Sequence, residues 1–369
     1  MISDFSQLTN KKTFMFRRIV IRVLLSPFAL LYGIIISLVN LSYDVGLLKA
    51  SKFSIPVIGV GNLSIGGAGK TPHIEYMIEM LKDYINVATL SRGYKRETKG
   101  FRLVQPTDTA LTAGDEPLQY RRKYPDIVVA VSESRAYAIP QIIQQYPQTQ
   151  TILLDDSFQH RSVQPGLNIL LTAYDALFTD DYLLPAGRLR EWRSGYQRAD
   201  IIIVTKCPES ATEIDKEKII HAIQPKNHQK VFFSYYQYGY PYYFYDNTQR
   251  ISLDKELNVI LLSAIANTEY LLQYLDKTVS TIHEIEYADH HVFDRHDIEK
   301  IIRVYQNMGE GRKIILTTEK DAMRLEMHKD VLKNHNIPVF VLPAQVKFHF
   351  DEAKEFDAVV KDFLLQFEV

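Results

Sequence analysis

PVIGVGNLSIGGAGKTPHI, residues 56–74, reads as a strand, a loop and the start of a helix. The apolar, β-branched run from Pro56 to Val60 has the composition of a buried strand. Gly66, Gly67 and Gly69 then lead into Lys70, Thr71 and the amphipathic stretch His73–Tyr84, which puts Ile74, Met77, Ile78 and Leu81 on one helical face. This order suits phosphate binding. Glycines let backbone N–H groups turn inward on an anion, the helix N-terminus adds a favourable dipole, and Lys70 reaches the β- and γ-phosphates. The Thr71 hydroxyl is placed for Mg²⁺. Ser64 stands where the strict phosphate-loop pattern opens with glycine. Ser64, Ile65, Gly66, Gly67, Ala68, Gly69, Lys70 and Thr71 are therefore the candidate cradle for ATP with Mg²⁺.

Working outward, Asn86–Arg96 reads as a strand ending in Ser91, Arg92, Gly93 and Tyr94, at the carboxyl end where α/β proteins hold ligands. Arg92 reads equally as a solvated loop charge. Gly114–Tyr124 opens a helix whose first turn carries Asp115 and Glu116, as carboxylates that complement the helix dipole do. Ile127–Arg135 is a buried strand that leaves Arg135 near the same rim. Thr151–His160 runs from strand into Asp155 and Asp156, and one of the two is expected to hold Mg²⁺. Asn168–Asp175 and Asp200–Lys206 add two more apolar strands. The expected fold is α/β and P-loop NTPase-like, a mainly parallel sheet with helices on both faces. Between those last strands, Arg188, Arg190, Glu191 and Trp192 crowd a loop that is either a surface turn or a phosphate clamp.

The texture changes beyond about residue 225. Ser234–Asp246 carries alternating tyrosines, as in a half-exposed strand of structural or interfacial use, and it lacks the basic residues a nucleic-acid platform needs. Apolar runs within 258–267, 313–321 and 337–343 indicate a second, smaller α/β unit. In it, Tyr287–Asp297 concentrates histidine and aspartate. Adjacent His290 and His291 suit a shared metal poorly, so a histidine paired with a carboxylate for proton transfer is the more economical reading.

A chain of 369 residues accommodates two α/β domains, and its net charge of -1 argues against a general nucleic-acid binder. A single cysteine, Cys207, excludes an intramolecular disulfide and a cysteine-rich zinc site. At the N-terminus Lys11, Lys12, Arg17, Arg18 and Arg22 precede Val23–Val39, 17 uncharged residues at the lower edge of what spans a bilayer. If that segment spanned, the basic flank would stay in the cytoplasm and send the phosphate loop to the side without ATP. A helix or helical hairpin lying in the cytoplasmic interface, kinked at Pro27, is therefore expected; a buried helix of a soluble core is the alternative. The expected divisions are residues 1–45, 46–225 and 226–369.

Taken in order, GNLSIGGAGKTP, LSRGYKR, GDEP, LLDDSFQH, LLPAGRLRE, SAIAN, DHHVF and TTEKD, from residue 61 to 321, resemble the tetraacyldisaccharide 4'-kinases of lipid A synthesis. That family commonly has Ser or Thr at the position of Ser64. The chain departs from its pattern at Ser157, where Gly is usual, at Arg188, where Pro is usual, and at Trp192, where Pro often follows. The resemblance implies ATP-dependent phosphorylation of the 4'-hydroxyl of a tetraacylated glucosamine disaccharide 1-phosphate, at the cytoplasmic face of the bacterial inner membrane. It implies that Lys70 and the loop hold the phosphates, and that Thr71 with Asp155 or Asp156 holds Mg²⁺. Asp115 becomes the base, oriented by His290 or His291 as the second domain closes. Arg92, Arg135, His160, Arg190 and Glu191 become candidates for phosphate and sugar contacts. The partners implied are the glycolipid and the membrane surface, with no nucleic acid and no obligate protein. The competing expectations are a membrane-associated P-loop ATPase or switch and a kinase of another glycolipid. Thr205-Lys206-Cys207-Pro208 matches a guanine-recognition N-K-x-D motif in position only.

Overall fold

A computed structural model describes the backbone of residues 2–367 and the side chains of residues 20–367. The first sheet begins with β1 (Val57–Asn62), β2 (Val87–Ser91), β3 (Arg102–Leu103), β4 (Val128–Val131), β5 (Thr151–Leu154), β6 (Leu167–Ala173), β7 (Ile201–Thr205) and β8 (Lys230–Tyr238). In space these run β8-β7-β6-β1-β5-β2-β4-β3, parallel except for β3. The helices that accompany them are α1 (Ile2–Asp44), α2 (Lys70–Leu81), α3 (Ala110–Ala113), α4 (Asp115–Lys123), α5 (Arg135–Gln145) and α6 (Glu213–Ile223).

Alternation along the strands feeds two cores. On β7, Ile201 and Ile203 join α2 and α4, whereas Ile202 and Val204 join α6 on the opposite face. On β5, Leu153 faces α2 while Ile152 and Leu154 face α5. Burial on both faces is why these strands read as unbroken apolar runs. The four apolar positions of α2, Ile74, Met77, Ile78 and Leu81, are all buried.

A second sheet holds β9 (Tyr242–Tyr243), β10 (Asp246–Arg250), β11 (Asn258–Ser263), β12 (Thr281–Glu286), β13 (Lys313–Thr318) and β14 (Val339–Leu342), in the order β10-β9-β14-β13-β11-β12. With it go α7 (Glu269–Thr278), α8 (Arg295–Asn307), α9 (Glu319–Leu325) and α10 (Lys329–Asn334). The chain then returns. Strand β15 (Ala344–Phe348) pairs antiparallel with β8, and α11 (Ala353–Leu365) buries Phe356 and Val360 in the first core. The expected boundary at residues 225 and 226 is thus corrected. Strand β8 belongs to the first sheet, and the last 26 or so residues close it by a pairing too distant in sequence to be read from local pattern. The two crossings between units lie side by side, with the Gly239 N–H donating to the Pro343 carbonyl at 3.0 Å.

Helix α1 runs through Pro27 as one helix, not a hairpin. Ala29 and Gly33 are buried, but Leu24, Phe28, Leu31, Ile35 and Leu38 are exposed, so the soluble-core alternative does not hold. Val20–Asp44 is the one described helix long and apolar enough to cross a membrane. Lys11, Lys12, Arg17 and Arg18 lie outside the residues whose side chains are described.

His73 ties α2 to β8. Its Nδ1 sits 2.7 Å from the Gly69 carbonyl and its Nε2 3.0 Å from Ser234 Oγ, and burial pushes the imidazole down to about 4. The unfolded chain therefore takes up a proton near pH 6.5 that the folded chain refuses until about pH 4, so this group's contribution to stability is lost as pH falls through that window. Denaturant titrations of the parent and His73→Gln should show the parent's stability advantage shrinking on acidification. A constant difference would mean that His73 is not held neutral.

Candidate active site

A cavity of about 610 Å³ opens at the carboxyl ends of β1, β2 and β5 and is closed from above by the second unit. Its floor is the loop from Ile65 to Thr71. Gly69 caps α2 with φ of 86°, a left-handed conformation that disfavours any side chain, and a Cβ there would run into the Tyr236 hydroxyl. No side chain caps α2, which leaves its first N–H groups for an anion. Lys70 Nζ lies 3.1 Å from Asn62 Oδ1 and 3.3 Å from Asp156 Oδ1.

The two aspartates after β5 sit in different surroundings. Asp155 is fully buried, accepts from the Tyr120 hydroxyl at 2.9 Å through Oδ2, and leaves Oδ1 without a partner. Burial pushes its carboxyl up to about 7, with Glu116 adding to the effect and Lys70 opposing it. Asp156 takes φ of 48° and accepts from Arg190 Nη1 with both oxygens at 2.9 Å. Burial opposes its ionisation, yet Lys70 and Arg190 hold it well below the usual carboxylate range. Arg135 Nη2 donates to the carbonyls of both aspartates, and its buried Nε and Nη1 have no partner among the described residues. Burial and the Arg135 charge push His160 down to about 4. Thr71 and the orphaned Asp155 Oδ1 form a hard-oxygen donor set beside the phosphate loop, which fits Mg²⁺. No cluster of three or more His, Cys, Asp or Glu able to hold a metal occurs among the described residues.

From the second unit come His290 and Lys320. His290 Nδ1 is 2.9 Å from Asp115 Oδ2, and Lys320 Nζ is 3.1 Å from His290 Nε2 and 3.0 Å from Glu116 Oε1. An ammonium only donates, so Nε2 accepts and the Nδ1–H donates to Asp115. Arg324 Nε approaches the same Asp115 oxygen at 3.4 Å. Burial works against ionisation of Asp115, but Lys320, His290 and Arg324 together hold its carboxyl well below the usual range. His290 lines the cavity and Asp115 lies behind it. His291 points elsewhere, stacking on Tyr287 and placing Nε2 2.7 Å from Asp297, so of the adjacent histidines only His290 meets Asp115.

Other expected residues fall on either side of the wall. Arg92, Arg135, His160 and Arg190 line the cavity. Glu191 does not; it is buried, pairs with Arg198 at 2.8 Å and accepts from Gln159 at 3.0 Å, bracing the loop from behind. The tyrosine-rich stretch, expected to be structural or interfacial, places Tyr236 and Tyr238 on the cavity wall instead. Lys320 stands within TTEKD without a role assigned to it there, and Arg324 carried no local signal. Both lie on α9, and the packing of α9 against α4 brings them to Glu116 and Asp115.

The loop expected to be a turn or a clamp is attached to the phosphate loop by its backbone. Arg190 N–H donates to the Leu63 carbonyl and Ile65 N–H to the Arg188 carbonyl, each at 2.7 Å. Helix α1 rests on the same segment. The Tyr32 hydroxyl donates to the Arg190 carbonyl at 2.7 Å, and Trp192 Nε1–H faces Ser37 Oγ at 2.9 Å and the Gly33 carbonyl at 3.1 Å. A Cβ at Gly33 would collide with the Trp192 ring.

Comparison with known proteins covers all of these elements. The model of the tetraacyldisaccharide-1-P 4'-kinases matches residues 21–365. The chain belongs to that family. The tetraacyldisaccharide 4'-kinase of Flavobacterium johnsoniae is 44% identical over 319 residues, 86% of this chain and 92% of that one. The enzyme of the same name in Flavobacterium psychrophilum is 43% identical over 346 residues, 93% and 97% of the two chains. A crystal structure of LpxK from Aquifex aeolicus in complex with ATP, 28% identical, superposes with a TM-score of 0.69 over 93% of this chain and 99% of that one. This member of the tetraacyldisaccharide 4'-kinase family is accordingly a kinase with the expected α/β, P-loop fold.

Trp192 is the chain's single tryptophan, so its contact with α1 can be followed directly. Gly33→Ala improves helix propensity by about 1 kcal/mol, yet it should displace the indole, shift its emission and lower phosphoryl transfer. Unchanged emission and activity would show that α1 and the Arg190 loop are not coupled through Trp192.

Proposed function

We propose that this kinase transfers the γ-phosphoryl group of ATP to the 4'-hydroxyl of a tetraacylated glucosamine disaccharide 1-phosphate at the cytoplasmic face of the inner membrane. The observation that carries this reading is the 2.9 Å contact of His290 with Asp115, which joins the second unit to the wall of the phosphate-loop cavity. A phosphate cradle alone suits an ATPase or a switch. A histidine–carboxylate pair facing it supplies what a hydroxyl acceptor needs.

Phosphoryl transfer calls for charge neutralisation, in-line positioning and a proton acceptor. Lys70 and the N–H groups of the loop and of α2 bind the β- and γ-phosphates. Thr71 and Asp155 would hold Mg²⁺, which when bound neutralises charge on the transferred group. Arg190, held on Asp156, and Arg135, whose Nε and Nη1 have no partner among the described residues, line the wall where that group passes. Arg92 and His160 lie on the same wall for sugar and phosphate contacts. Because Asp115 is recessed and strongly ionised, it is the weaker proton acceptor of the pair. The acceptor hydroxyl's proton goes to His290 Nε2, vacated as Lys320 turns to Glu116, while Asp115 fixes the tautomer through Nδ1 and stabilises the imidazolium. Asp115 is then a positioning residue, a revision of the role its family resemblance implied.

The exposed apolar face of α1 lies in the bilayer interface, and Arg22, 4.9 Å from the Tyr182 ring, marks the headgroup level. No obligate protein partner is needed for this chemistry.

In detergent with ATP, Mg²⁺ and the disaccharide 1-phosphate, His290→Ala and Asp115→Asn should each lower kcat by about 10²–10⁴ and leave ATP affinity largely intact. The double variant should be little worse than either single one, because the two residues act as a unit. Strictly multiplicative losses would sink the pairing. ATP turnover at full rate without lipid would favour the switch.

A further inference from the structure

The cavity is chemically graded along the sheet. Toward β5 and β2 it carries Asp155, Asp156 and Arg135, with His290 above them. Toward β7 and β8, on the other side of β1, it is walled by Tyr236, Tyr238, Tyr270 and Leu271. With transfer at the first end and the phosphates on the β1 loop, the nucleoside extends to the second.

Lys206 enters the cavity at that second end. It is the residue after β7, takes φ of 57°, and brings Nζ to within 3.6 Å of where a Cβ on Gly67 would stand. Its neighbours fix it there. Thr205 Oγ1 donates to the Ala68 carbonyl at 2.9 Å, Cys207 N–H donates to the Ser234 carbonyl at 2.9 Å, and the Tyr270 hydroxyl donates to the Cys207 carbonyl at 3.2 Å. The strand end is thus bound to the phosphate loop, to β8 and to α7 of the second unit. Lys70, by contrast, is occupied by Asn62 and Asp156. The Lys206 ammonium forms no hydrogen bond or ion pair among the described residues, and burial lowers its pKa with only Asp175 acting in the other direction. A desolvated cation held against a phosphate loop without a protein anion is unfavourable in the free protein and favourable once an anionic ligand arrives.

We propose that Lys206 is a nucleotide-contacting residue, its ammonium engaging the ribose and α-phosphate of ATP at the aromatic end of the cavity. This inference rests on the ATP reading above. It also gives a use to the segment whose position resembles N-K-x-D: the lysine is kept, and with Pro208 in place of the aspartate no guanine recognition accompanies it.

The test is direct binding of ATP and of ADP to the full chain in detergent, by calorimetry, for the parent, Lys206→Met, Lys206→Arg and Lys70→Met. Lys206→Met should weaken ATP and ADP alike, by roughly tenfold, and Lys206→Arg should retain most of the affinity. The thermal midpoint without nucleotide should stay level or rise, since a partly buried charge with no partner among the described residues is gone. The KM for ATP should rise while that for the lipid does not. Unchanged affinity would overturn the assignment. So would a loss confined to ATP, which would put Lys206 on the γ-phosphate, or a loss accompanied by a lower midpoint that arginine fails to restore. If the parent binds no ATP, or Lys70→Met binds it as the parent does, the phosphate-loop reading itself fails, a result separable from the others.

Discussion

Two backbone hydrogen bonds, Arg190 to Leu63 and Ile65 to Arg188, hold the functional end of this molecule together. They fix the phosphate loop to a segment distant in sequence. The Arg190 guanidinium then grips Asp156, and Asp156 grips Lys70, which closes a ring through main chain and side chains. Helix α1 rests on the same segment through Tyr32 and Trp192. The apolar helix, the anion cradle and the acid pair are therefore connected as one piece, and the position of the cradle relative to α1 is set by packing rather than by a tether.

The second unit is joined differently. Helix α4 forms the seam, with Asp115 at its start and Lys123 at its end. Lys123 lies 2.8 Å from Glu75 on α2 and 3.0 Å from Glu319 on α9, while Lys320 reaches Glu116. Burial and the nearby Glu319 push Glu75 up to about 7, so this clasp sits close to its titration range under ordinary conditions. A seam held by ion pairs separates more readily than a packed core.

Local chemistry made much of this legible. Unbroken apolar runs gave the parallel strands, the period of α2 gave its buried face, and Asp155 and Asp156 followed a strand as the phosphate loop demanded. What escaped depended on contacts between distant segments. Sequence could not separate His290 from His291, because adjacent residues differ only in the direction the backbone sends them, and His290 is turned by φ of 57°. Lys320 lay in the TTEKD motif with nothing local to tell its role, and Arg324 had no local pattern at all. Tyr236 and Tyr238 read as a half-exposed strand because the cavity they line takes the place of solvent in the alternation. The return of β15 to β8 was invisible for the same reason, and it displaced the expected domain boundary.

That return has a mechanical consequence. The second unit is an insertion, joined to the first by two strands that cross side by side where Gly239 meets Pro343. A single linker would let the inserted body swivel in any direction. Two adjacent crossings bonded to each other resist twist and sliding and leave bending about the line through them as the soft motion. A hinge of that kind would carry His290 and Lys320 along an arc, like the edge of a door, to and from Asp115 and Glu116.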